Sequence, residues 1–131
     1  MALIAVLLAA IIGFVIGAGW YMALSKPWIE ASGVPVDADG QPTGRNPGLT
    51  YGGAFLCILI VAGMLRHVLV SSGVSTPGAG ALSGLGVGLF LIAPWITLNV
   101  LFVMRPLKLA AIDGGYAALA CTAMGLVLTL I

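Results

Sequence analysis

Between Ala2 and Leu24 the chain carries no charged residue. An α-helix needs about 20 such residues to cross a hydrocarbon core of about 30 Å. Three more apolar stretches, at about 50–70, 80–103 and 107–131, repeat the pattern. In lipid every backbone N–H and C=O must be paired within the segment, so runs of this kind fold as helices. The expected fold is all-α: an integral membrane four-helix bundle forming a single transmembrane domain over 1–131. Composition agrees, because only 7% of the 131 residues are charged and 61% are hydrophobic, whereas soluble domains are about one-quarter charged. A net charge of +1 with scattered basic residues gives no field or stacking surface for nucleic acid, which is not expected as a partner.

A cleaved leader would be shorter and preceded by basic residues, so the first run reads as a retained helix. Within it Gly13 and Gly17 form a GxxxG pair that lets a neighbouring element come close. Trp20, Tyr21, Lys26 and Trp28 then gather where the run ends. Indole and phenol rings and an extended Lys favour the headgroup level, so they read as an interfacial belt, or as one wall of a pocket. Pro27 is expected to end the helix. The segment from Glu30 to Gly48 is polar, with Asp37, Asp39 and Arg45 among prolines and glycines. Its DADG stretch has the opening of a calcium loop but lacks the remaining ligands, so a turn is expected.

The second helix should begin at Leu49 or Thr50 and leave the membrane near Arg66 and His67. With one His and no grouped Cys or carboxylate, no metal site and no cofactor is expected. Cys57 and Cys121 fall inside membrane helices at different depths and read as small packing residues. On the third helix Gly80, Gly84 and Gly88 recur every four residues, the strongest packing signal in the chain. Pro94 should kink that helix near its middle. On the fourth, Gly114 belongs to a small-residue stripe with Ala110, Ala118 and Thr122.

Arg105, Pro106 and Lys108 mark a tight turn between the last two helices. Asn99 and Asp113 flank it at matching depth, roughly 8 to 9 Å below the turn at 1.5 Å rise per residue. An ionisable group at that depth is a functional-site candidate by default, and Asn99 is expected to point inward as its partner. Tyr116 follows on the Asp113 side of the helix.

Lys26, Arg45, Arg105 and Lys108 belong to the first and third loops, against Arg66 alone on the other surface. The excess of Lys and Arg places those loops in the cytoplasm, including the one at about 25–49, and both termini outside. The candidate polar cluster of Asn99, Asp113, Tyr116, Arg105, Lys108, Trp20, Tyr21, Lys26 and Trp28 then lies in one leaflet.

The succession Gly17-x-x-Trp20-Tyr21, Lys26-x-Trp28, Arg105-Pro106-Leu107-Lys108 and Ile112-Asp113-x-Gly115-Tyr116 resembles domain of unknown function family 1761, over nearly the whole chain. The resemblance implies a four-helix membrane protein of the bacterial inner membrane with no established activity, substrate or cofactor. In two places this chain departs from the family pattern: the stretch between Tyr21 and Lys26 is shorter, and Asp113 stands where Asn is common.

The leading expectation is a non-enzymatic protein that associates through its small-residue helix faces with itself or a larger membrane complex. One alternative is a small oligomeric transporter or channel subunit using Asp113 and Asn99, with Pro94 as a hinge. Another is a lipid-headgroup-binding or lipid-modifying protein in which Asp113, Tyr116 and Arg105 converge. No catalytic constellation supports an enzyme.

The orientation is open to test with cysteines at Asp39 and Ser75, in a background lacking Cys57 and Cys121. A membrane-impermeant thiol reagent applied to intact cells should label position 75 and spare position 39; the reverse pattern would refute the assignment.

Overall fold

The computed structural model describes residues 1–131 and contains helices but no β-strand. The first span is α1, Ala2–Ala23. It stops there because Pro27 would press its ring on the carbonyl four residues back, that of Ala23. The chain does not leave helical geometry for long. After Leu24 a second helix, α2, runs over Ser25–Ser32, with Pro27 in its first turn, where a missing N–H costs nothing. This interfacial helix replaces the first part of the loop expected there. It closes on Gly33, whose φ of 71° is left-handed.

In the loop beyond, the Asp37 carboxylate accepts from the backbone N–H groups of Asp39 (2.9 Å) and Gln41 (3.0 Å). The DADG stretch is therefore a turn. Asn46 caps the next helix by accepting from the Leu49 N–H, and Pro47 takes the first position, so α3 covers Pro47–Ser71. Its start lies two to three residues ahead of the expected one. Gly73, at φ 71°, ends α3 with bonds from its own N–H to Val70 and from Val74 to Leu69.

Thr76 and Pro77 open the third span in the same manner. It comprises α4 (Pro77–Val87), a π turn (Gly88–Ile92) and α5 (Ala93–Phe102). The expected kink at Pro94 takes the form of this π turn, in which the Ala93 N–H reaches back to Gly88. The extra residue in the turn relieves the crowding that the Pro94 ring would cause in an unbroken α-helix. Met104 then occupies the left-handed position, φ 58°, with the N–H of Arg105 bonded to Val100 (3.1 Å). Pro106 leads into α6, Leu107–Leu130.

The four spans, Ala2–Ala23, Pro47–Ser71, Pro77–Phe102 and Leu107–Leu130, are long and apolar enough to cross a membrane. They are organised around α6, which is the least apolar of them and the most buried. On one side α6 meets the third span, backbone to backbone. A Cβ on Gly84 would overlap the carbonyl of Cys121, one on Gly88 that of Ala117, and one on Gly80 the Thr129 side chain and the Gly125 carbonyl. Gly125 returns the contact against Gly80, and Gly114 lies 3.0 Å from Ala93 Cβ by the same construction. The Thr122 and Thr129 hydroxyls bond to carbonyls four residues back on α6 itself, so the small-residue face carries no unpaired donor.

On the other side α6 meets α1 and α3. Ala5, Ala9 and Ala10 of α1 pack with Ala62, Leu65 and Leu69 of α3 and Cys121, Met124 and Leu128 of α6. Phe14 and Phe55 meet edge to face at 5.8 Å. Gly13 and Gly17 do not receive another helix's backbone: Gly13 takes the side chains of Met124 and Ile58, and Gly17 takes Tyr116. Cys121 packs as expected, whereas Cys57 is exposed on the outer surface of α3.

The packing predicts that Gly84→Leu lowers thermal stability in detergent by more than about 1–3 kcal/mol, since the side chain would displace a backbone rather than a neighbouring rotamer. Leu82→Phe, on an exposed face of the same span, should stay within about 0.5 kcal/mol. Equal melting temperatures for the two variants would remove the backbone-contact account.

Candidate functional site

The long-range side-chain hydrogen bonds of the chain join α1, at its last turn and at Gly13, to the second and third turns of α6. Trp20 donates its Nε1–H to the Ile112 carbonyl at 2.9 Å. Its ring lies on Gly115, where a Cβ would stand 2.9 Å from the indole. Tyr21 donates to Asp113 Oδ1 at 2.6 Å. Tyr116 donates to the Gly13 carbonyl at 2.8 Å, its phenol resting on the bare face of Gly17. Helix periodicity explains the set: Trp20, Gly17 and Gly13 are three or four residues apart, as are Ile112 or Asp113 and Tyr116. The GxxxG pair thus creates the slot for a tyrosine that crosses from α6 to α1.

Around Asp113 the aromatic rings stand nearly perpendicular. Tyr21 meets Trp28 at 5.9 Å and 77°, and Tyr116 at 5.4 Å and 70°. Trp28 arrives from α2, where it packs against Ala31, Val100, Leu109 and Ala110. Above it, the guanidinium of Arg45 lies 5.8 Å from the indole centroid, folding the loop down over α2. The Trp28 indole N–H also lies toward the Asp113 carboxylate, as a second donor beside Tyr21.

Several expected members lie elsewhere. Asn99 is exposed and its side chain makes no hydrogen bond, so the expected pair with Asp113 does not form. Neither the depth nor the bearing around the helix axes matches: α5 ends at Phe102, three residues past Asn99, whereas Asp113 lies six residues into α6, where its neighbour Gly114 faces Ala93. Val100 is the residue of α5 turned toward Leu109 and Ala110, which leaves Asn99 about 100° away, while Asp113 turns to α1. Arg105 lays its guanidinium on Gly33, at the carbonyl end of α2, where a cation is favoured. Lys108 pairs with Glu30 at 3.9 Å, both side chains being exposed, which is worth at most about 1 kcal/mol. Lys26 is exposed and outside the cluster.

Glu30, Gly33 and Gly115 were not singled out by the sequence as parts of this region. Gly115 sits within the motif that carries Asp113 and Tyr116, and that adjacency was the available signal. Nothing local marks Glu30 or Gly33, because their roles come from α2 folding back over the turn.

The arrangement acts as a hydrogen-bonded seam between α1 and α6. Asp113→Asn keeps an acceptor for Tyr21 and should preserve thermal stability. Asp113→Leu leaves the phenol unpaired in a site with little water and should cost about 1–3 kcal/mol. Unfolding curves in detergent that do not separate the two variants would contradict a structural role for this bond.

No curated protein and no solved structure matches the chain. A family model matches residues 4–129. With its motifs, four apolar spans and this match in agreement, the chain belongs to the family described as "Protein of unknown function (DUF1761)".

Proposed function

We propose that this is a non-enzymatic membrane protein that works by association within the bilayer, with a second copy of itself as the first partner. The observation that carries the reading is the outer face of the third span. The glycine ladder is used inside the chain and is not available to a partner. What remains is an open apolar groove of about 500 Å³ beside the π turn, lined among others by Leu89, Ala93, Pro94, Thr97 and Leu98. Next to it Asn99 is exposed and unpartnered. An amide both donates and accepts, so Asn99 can pair with its own copy across a two-fold axis, satisfying both chains with one surface.

The same reading places the protein in a bacterial inner membrane, with both termini outside and α2 and its loop in the cytoplasm. The transport alternative needs Asn99 beside Asp113, and the lipid-modifying alternative needs Asp113, Tyr116 and Arg105 to converge. Tyr116 and Arg105 are directed instead to Gly13 and Gly33, which supports a non-enzymatic role.

A cysteine at Leu98, in a background lacking Cys57 and Cys121, should form a disulfide-linked dimer on oxidation in membranes. One at Leu56, on the exposed side of α3, should not. Adding Asn99→Leu should weaken the dimer about fivefold, as an interhelical hydrogen bond of about 1 kcal/mol would. Equal cross-linking from both positions, or none from Leu98, would overturn the assignment.

A further inference from the structure

We propose that the cavity between the loop and the start of α3 binds a phosphate ester, with the Arg45 guanidinium as its charged contact and the Tyr51 hydroxyl as a second donor. The cavity is open, measures about 450 Å³ and is lined among others by Gln41, Thr43, Arg45 and Tyr51. That volume is in the range of small-molecule sites, about 300–1,000 Å³. Its outer wall is a hydrogen-bonded hairpin. Val36 and Pro42 form an antiparallel bridge, the Asp37 N–H donates to the Gln41 carbonyl at 2.8 Å, and the Thr43 N–H donates to Pro35 at 2.9 Å. Gly44, at φ 81°, then turns the chain toward α3.

The lining selects an anion. Arg45 is its one charged residue, and no carboxylate pairs with it, since the chain's ion pair joins Lys108 to Glu30. The Trp28 ring, 5.8 Å from the guanidinium carbon, holds the cation in place through its charge and supplies no hydrogen-bond acceptor for the N–H fork. The side-chain hydrogen bonds of this loop are made by Asp37 and Asn46, which leaves the Gln41 amide and the Thr43 and Tyr51 hydroxyls free as well. Asp37, the acid beside the hairpin, spends its carboxylate on the N–H groups of Asp39 and Gln41 and is not on the lining. A guanidinium fork matches the oxygens of a phosphate, and neutral donors can take those that remain. Location points the same way. Trp and Tyr settle at the headgroup level, and Tyr51 is the fifth residue of α3, about 6 Å below its start. The phosphate belongs either to a lipid headgroup in the leaflet or to a soluble ester arriving from water, and the cavity presents the same contacts to both.

The test uses the full chain in dodecyl maltoside, with Trp95→Phe so that Trp20 and Trp28 alone report by fluorescence; Trp28 senses any change at the guanidinium above it. The protein is titrated with dihexanoyl phosphatidylglycerol and, separately, with glycerol 3-phosphate. A saturable change with both assigns the cavity to any phosphate ester, with the lipid alone to a headgroup, and with glycerol 3-phosphate alone to a soluble ester; each supports the proposal. Dihexanoylglycerol, which has the same chains and no phosphate, should not saturate. Arg45→Gln should weaken binding at least about tenfold, as loss of a charged hydrogen-bonding pair does. Tyr51→Phe, which removes one hydroxyl from an exposed side chain and leaves the Arg45–Trp28 contact intact, should weaken it about threefold. Absence of saturation with both esters, saturation by dihexanoylglycerol, or an affinity that either substitution leaves unchanged would overturn the proposal.

Discussion

The backbone of α6 lies directly against the backbone of the third span, and the rest of the architecture follows from that approach. In a membrane, helix association has little hydrophobic drive and depends on close packing. Gly80, Gly84 and Gly88 bring the third span down on the carbonyls of Gly125, Cys121 and Ala117. The four-residue repeat keeps the contact in register, since each step follows the same ridge of both helices. With one side of α6 closed in this way, its remaining faces are free to receive α1 and α3.

On the α1 side the chemistry changes. Trp20, Tyr21 and Tyr116 each place a polar group on the opposite helix while their rings fill space against Gly115 and Gly17. Glycine therefore serves two purposes in one protein: on the third span it admits a backbone, and on α1 it admits a tyrosine. The polar groups of α6 are tolerable because this helix is shielded by its neighbours, which also explains why the least apolar span is the central one.

Near the turns, α2 gathers the charges that the long helices cannot accommodate. Arg105 lies on Gly33 at its carbonyl end, Lys108 pairs with Glu30 along its length, and Arg45 covers Trp28. The consequence is a division between groups engaged in folding and groups left open. Arg105, Tyr116, Trp20 and Asp113 are committed to neighbours, while Asn99 keeps its whole side chain.

The four spans and the glycine ladder were legible from the sequence, because run length and residue spacing map onto distance along a helix axis. The starts of the second and third spans lie two to three residues ahead of the apolar boundaries at Leu49 or Thr50 and about Gly80, because the Asn46-Pro47 and Thr76-Pro77 caps set them. The partner of each face was not legible. Asn99 and Asp113 meet neither in depth nor in bearing, and the slot at Gly13 and Gly17 receives Tyr116 instead of a helix. Nor could spacing show that the chain beyond Pro27 would coil again and fold α2 over the turn at Arg105. Position along an axis is a property of one helix and is written in its sequence. Rotation about that axis is settled only when neighbouring helices compete for the same surface, and that competition exists only in the assembled fold.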